Sequence, residues 1–128
     1  MALKLEYIEI DEPLLLVWGK ANDDYALFRQ FALSLSEQQG SHKSLHSQNF
    51  IESIMNVQVY ARNTLEDKGI VKRKNRPAFS WLLDTESWLW VADLIEPFSI
   101  NDNSPGNRFQ YINIAGQMDF VLSTSRGW

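Results

Sequence analysis

Two histidines and a few acidic pairs are the candidates for chemistry in this chain, because the sequence contains no cysteine. His42 and His46 stand four residues apart, a spacing that would place both on one side of a helix and could chelate a metal ion. Their neighbours are serines and a lysine, which is typical of a solvated loop. The sequence therefore predicts neither a metal site nor a cofactor.

The carboxylates offer a weak case for catalysis. Asp23 and Asp24 could form an acid–base pair, but they also suit the first turn of a helix, where negative charge is stabilising. Asp93 and Glu96 could flank a cleft. Carboxylates alone can hydrolyse glycosides, so a hydrolase-like enzyme remains the third and least favoured hypothesis. No phosphate-binding glycine loop, Gly-x-Ser-x-Gly elbow or His-Glu-x-x-His motif is present.

The most conspicuous stretch is an aromatic segment, residues 79–92, which holds three of the five tryptophans. Its polar residues 84–87 predict a turn between two strands, so that Trp81 faces Trp90. Side chains alternate across a strand, and the hairpin would therefore place four aromatic residues on one face. These residues are Phe79, Trp81, Trp88 and Trp90.

Three roles are open to this aromatic face. Buried rings would form the core of the domain. On the concave side of a curved sheet, they would line a cavity for a small apolar or aromatic ligand. Exposed rings would form a hot spot for a protein partner. Tyr60 and Tyr111 are the further aromatic residues that neighbouring strands could add.

A basic segment directly precedes the aromatic one. Residues 61–76 carry six basic and two acidic side chains, whereas the rest of the chain carries six basic and fourteen acidic ones. The segment could dock an acidic protein surface, or its lysines could protect a strand edge from unwanted pairing. The net charge of −4 opposes general nucleic-acid binding, so a nucleic-acid partner is not expected. The basic residues are Arg62, Lys68, Lys72, Arg73, Lys74 and Arg76.

The elements that must position these residues can be read from hydrophobic spacing. Apolar residues from Tyr25 to Leu35 recur at intervals of three and four and predict one helix at about 24–38. Alternating or continuous apolar runs predict strands, in addition to the hairpin, at 3–10, 14–18, 54–62, 70–73, 108–115 and 118–123. Residues 50–54 fit a helical turn as well as a strand.

The overall expectation is one globular domain spanning 1–128 of the α+β class. We expect a curved, mostly antiparallel sheet or partly open barrel of six to eight strands, packed on one main helix. A hydrophobic fraction of 45% supports a real core. The missing crossover helices argue against a doubly wound parallel fold.

The functional expectation is a small, soluble, non-catalytic binding protein of the bacterial cytoplasm. The leading hypothesis is recognition of a protein with an acidic surface, of a toxin-neutralising or regulatory type; the alternative is a small-molecule binder with a tryptophan-lined cavity. No apolar run approaches the roughly 20 residues of a membrane helix, and no secretory signal is evident. A homodimer could form through an edge strand at 3–10 or 70–73.

Overall fold

The computed structural model describes residues 2–9, 11–74, 77–100, 108–115 and 118–127. The predicted basic residue Arg76 and residue 10 of the predicted strand 3–10 lie outside the described residues. The described part contains two α-helices and nine strands, which confirms the α+β class. Four strand pairs of this part are antiparallel and three are parallel.

The elements in chain order are β1 (Leu3–Ile8), β2 (Leu14–Trp18), α1 (Asn22–Ser36), β3 (His42–Ser44), β4 (Ile51–Ser53), β5 (Gln58–Asn63), β6 (Gly69–Lys72), β7 (Ala78–Leu83), α2 (Thr85–Ile95), β8 (Phe109–Ile112) and β9 (Asp119–Ser123).

The strands form two open sheets. The five-stranded sheet has the order β4-β1-β2-β9-β8, and the four-stranded sheet has the order β3-β5-β7-β6. In β1 the expected alternation is present, with Leu3 and Leu5 buried and Lys4 partly exposed. The continuous apolar run of β2 is buried from Leu14 to Val17, as its composition predicts for a central strand.

One hydrophobic core joins both sheets and both helices. The rings of Trp81 in β7 and Phe120 in β9 stack with their centroids 4.3 Å apart, so the two sheets touch directly. Helix α1 contributes five buried side chains at the predicted spacing, and it packs against α2. The α1 residues are Tyr25, Phe28, Phe31, Ala32 and Leu35.

The predicted hairpin over the aromatic segment is wrong, because its second half is the helix α2. Asp84 caps this helix, since its side chain accepts a hydrogen bond of 2.8 Å from the backbone N–H of Ser87. The buried residues then recur at helical spacing rather than in alternation: Trp88, Val91, Ala92 and Ile95. Burial of that stripe against α1 and β7 outweighs the strand preference of tryptophan.

The strand predictions for the middle of the chain are corrected as well. The strand expected from residue 54 begins at Gln58, because Met55 and Asn56 adopt positive φ angles and form a turn. Strand β6 does not return onto β5: β7 lies between them, parallel to β5 and antiparallel to β6. Strand β1 is flanked by β4 and β2 and is therefore not an edge, whereas β6 does lie at an edge.

Candidate functional site

The aromatic residues singled out in the sequence have separate environments. Phe79, Trp81 and Trp88 are buried, whereas the Trp90 side chain on α2 is 46% exposed. Trp81 and Trp88 meet edge to face at a centroid distance of 4.9 Å. These contacts make Trp81 and Trp88 part of the packed core, and the expected common face of three tryptophans does not exist.

Tyr60 and Tyr111 also lie apart. Tyr111 is on β8, an edge strand of the five-stranded sheet, where its 42% exposed ring contacts Phe109 at 5.9 Å. Tyr60 is on β5, in the middle of the four-stranded sheet. Of these two tyrosines, only Tyr60 neighbours the basic segment.

Tyr60 is the centre of what we call the outer face, the side of the four-stranded sheet opposite both helices. Strand register places Ser44, Tyr60, Ser80 and Val71 in one row across the four strands. The alternate residues Val59, Ala61, Phe79 and Trp81 point the other way, into the core. The outer face comprises His42, Ser44, Gln58, Tyr60, Arg62, Val71, Arg73, Ser80 and Leu82.

Arg73 lies across this face and joins three strands. It follows the last residue of β6, and its Nε donates a hydrogen bond of 2.9 Å to Ser80 Oγ on β7. Its guanidinium carbon lies 4.0 Å from the centroid of the Tyr60 ring on β5, a cation–π contact. The Arg73 side chain is nevertheless exposed. Its positive charge is therefore held in a fixed position and is accessible to a binding partner.

Two further side chains orient Tyr60. Its hydroxyl donates to Gln58 Oε1 at 3.0 Å, and the His46 ring meets the Tyr60 ring edge to face at 5.0 Å. His46 Nδ1 lies 3.0 Å from the Val59 backbone nitrogen and 3.3 Å from the Val59 carbonyl oxygen, so the Val59 backbone holds the ring in place. The imidazole thus supports the aromatic ring of Tyr60.

The charge of the outer face comes from two arginines, Arg62 and Arg73. None of its nine residues is acidic, although acidic side chains outnumber basic ones in the whole chain. Arg62 is exposed beside Leu82 at the end where a depression of about 380 Å³ opens. The Leu65 side chain, 78% exposed, lines the same depression. The site therefore combines one oriented arginine, Arg73, with a second exposed arginine, a tyrosine ring and an exposed aliphatic residue.

The basic segment is divided by the strand alternation. Arg62 and Arg73 belong to the outer face, and the exposed Lys68 and Lys74 flank β6 at its two ends. Lys72 points to the other side of the sheet, where its Nζ lies 5.9 Å from the Tyr7 ring centroid. The sequence alone does not show which side of the sheet each residue of β6 faces. It therefore does not distinguish Lys72 from its basic neighbours.

Three of the carboxylates considered for catalysis have contacts or positions that stabilise the fold. Glu96 forms an ion pair with Arg29 at 3.3 Å, and Asp23 and Asp24 lie in the first turn of α1. Among the described residues no group of three or more histidine or acidic side chains could hold a metal ion. None of the described helices is long and apolar enough to span a membrane.

The chain was compared with protein-family models, curated proteins and solved structures, and none of them matches it.

Three residues of the site did not stand out in the sequence: Leu65, Ser80 and Leu82. The alternation of residues 57–62 already carried part of the information, because it places Gln58, Tyr60 and Arg62 on one side of a strand. Ser80 and Leu82 join that side only through the parallel pairing of β5 with β7. Such long-range pairing leaves no local trace in the sequence.

Proposed function

We propose that the protein is a non-catalytic binding protein that recognises an acidic protein partner through the outer face. The observation that carries the proposal is the acid-free outer face itself, with Arg73 held over Tyr60 in a chain of net charge −4. A negatively charged partner would meet cations there without facing a carboxylate of the same surface. The toxin-neutralising or regulatory role expected from the sequence, and a location in the cytoplasm, are finer parts of the same proposal.

The residue types on the face suit protein recognition. Tyrosine and arginine are enriched among residues that dominate binding energies at protein interfaces. The Arg73 guanidinium is already oriented by Ser80 and Tyr60, so little side-chain entropy would be lost when it meets a carboxylate. Leu65 beside the Arg62 depression would supply an apolar anchor at the edge of the contact.

Affinity capture from the source organism with quantitative mass spectrometry tests the proposal. The bait proteins are the unmodified chain, the Arg62→Glu/Arg73→Glu variant and a Lys4→Glu/Lys20→Glu control of equal charge change at residues of the five-stranded sheet and its end. We expect one acidic protein that is retained by the unmodified chain and the control and is lost from the double arginine variant. Its retention must also fall as salt rises, because exposed charges are screened.

The outcome that contradicts the proposal is equally specific. If the captured protein is retained equally by the Arg62→Glu/Arg73→Glu variant, or if it carries a basic surface, the outer face is not its binding site. Dimerisation through an edge strand stays a prediction, now confined to the edge strand β6 because β1 is an inner strand. Light scattering of the purified chain would measure it.

A further inference from the structure

A second site lies away from the outer face, where β1 begins, where β2 and β9 end, and where α1 starts. A cavity of about 280 Å³ is enclosed there by residues 2–4, 18–21 and 124–126, three segments distant in sequence. That volume is close to the lower limit of small-ligand pockets in proteins, and it suits a molecule of about ten non-hydrogen atoms. None of these residues belongs to the outer face.

The walls of the cavity are built around one carboxylate. Glu6, whose side chain is 13% exposed, accepts a hydrogen bond of 2.5 Å from Trp18 Nε1 and pairs with Arg126 Nε at 3.1 Å. One acidic group thereby fixes an indole and a guanidinium, both of which line the cavity. Ala21, partly exposed, adds a small apolar surface. The apolar part of a ligand would lie against Trp18 and Ala21.

The charged residues that line the cavity are all cations: Lys4, Lys20 and Arg126. Two of them are neutralised, because Lys4 pairs with Glu52 and Arg126 pairs with Glu6. Lys20 is exposed, and no ion pair or hydrogen bond joins its ammonium group to another described residue. A ligand carboxylate would therefore meet one uncompensated positive charge at the rim.

We infer that this cavity binds a small amphipathic carboxylate, with its apolar chain against Trp18 and Ala21 and its carboxylate at Lys20. Charge complementarity decides the class of ligand. An amine would be repelled by the Lys20 ammonium group, and a neutral alcohol would lack the attraction that a carboxylate gains from it. The inference concerns a surface different from the outer face and does not depend on the proposed protein partner.

Titration of the full chain with three probes of equal length tests the inference: hexanoate, hexanol and hexylamine. The readout is the set of backbone amide NMR shifts at residues 18–21 and 124–126. We expect saturable shifts confined to these segments with hexanoate, weaker binding of hexanol and no response to hexylamine. Equal responses to hexanoate and hexylamine, or hexanoate shifts centred elsewhere in the chain, would overturn the assignment.

Variants of Lys20 provide the second arm of the test, because this exposed side chain can be changed without disturbing the fold. Lys20→Gln is expected to weaken hexanoate binding about threefold and Lys20→Glu about tenfold, as loss and reversal of one partly exposed ion pair. Lys43→Glu, the same charge change on an exposed lysine that does not line the cavity, serves as the matched control. If Lys20→Glu binds hexanoate as tightly as Lys43→Glu does, the carboxylate is not at Lys20 and the inference fails.

Discussion

Arg73 shows how a single side chain can organise a surface formed by distant parts of the chain. It contacts Ser80 and stacks over Tyr60, so one guanidinium connects residues from three strands. An arginine is required for this arrangement, because its planar group can donate a hydrogen bond and lie on an aromatic ring at the same time. A lysine would provide the charge without the stacking.

A double-mutant cycle measures whether this contact exists in solution. The variants are Arg73→Ala, Tyr60→Ala and their combination, each followed by urea denaturation. We expect a coupling free energy of about 0.5–1 kcal/mol, the usual value for an exposed cation–π contact. A coupling near zero would mean that Arg73 is free in solution and does not present a fixed charge.

Folding changes the ionisation of Tyr25. Burial raises the pKa of its hydroxyl well above the usual value of about 10, with the hydrogen bond from its hydroxyl to Ser123 O as a smaller, opposing influence. Below pH 10 both the folded and the unfolded chain keep this proton. Above pH 10 the unfolded chain loses the proton and the folded chain retains it, so the free energy of unfolding must fall.

The Tyr25→Phe variant isolates this effect. Between pH 9 and pH 11 the unmodified chain should lose about 1.4 kcal/mol more of its free energy of unfolding than Tyr25→Phe loses. Urea denaturation curves of both proteins at the two pH values give the difference directly. Parallel losses would show that Tyr25 ionises in the folded protein as it does in water.

Helix α2 is the element that changes the interpretation of the aromatic segment. In a hairpin, the three tryptophans would have shared one face and one role. On the helix, Trp88 faces the core beside Trp81, and Trp90 lies on the exposed side. The Trp88 Nε1 group also donates to Arg62 O at 3.1 Å, which ties α2 to the strand that carries the outer face.

Alanine substitution separates the helix from the hairpin in a stability measurement. Trp81→Ala and Trp88→Ala should each lower the free energy of unfolding by about 3–5 kcal/mol, because each leaves a large cavity in the core. Trp90→Ala should cost less than about 1 kcal/mol, since its ring is 46% exposed. A hairpin with one buried face predicts similar large losses for all three variants, and that result would exclude the helix.

The elements that could be read from the sequence are those with unambiguous local patterns. Helix α1 and strand β2 were predicted because one apolar stripe and one continuous apolar run leave few alternatives. The helical spacing of Trp88, Val91, Ala92 and Ile95 was present too, together with Asp84 as a capping residue. Over so short a stretch, however, the alternation of Trp88 with Trp90 fits a strand as well as the helical spacing fits a helix.

The candidate site was predictable only in part. The charge distribution along the chain predicts the basic segment, and strand alternation suggests Tyr60 as a neighbour of the aromatic face. Arg62 and Arg73 of the basic segment lie in the site. The orientation of Lys72 and the contribution of β7 were not predictable, because they depend on which strands pair and in which register. Parallel pairing between β5 and β7 brings together residues about 20 positions apart, and no nearby turn specifies it.

At the scale of the whole molecule, charge is unevenly distributed. The acidic residues lie mainly outside 61–76, while the outer face carries cations without acids. A second cationic position, Lys20 with its cavity, lies on a different part of the surface. The two sites can therefore be varied independently, and the proposal for a protein partner stands or falls with the outer face alone.

Zero-length carbodiimide cross-linking tests the outer face most directly, because it joins a lysine only to a carboxylate in direct contact. With the partner obtained by affinity capture, the account predicts cross-links from Lys68 and Lys74, which flank β6, to acidic residues of that partner. Lys4, Lys20 and Lys43, which lie on other surfaces, serve as internal controls in the same sample. Cross-links concentrated at those three lysines, with none at Lys68 or Lys74, would contradict the assignment of the outer face as the binding surface.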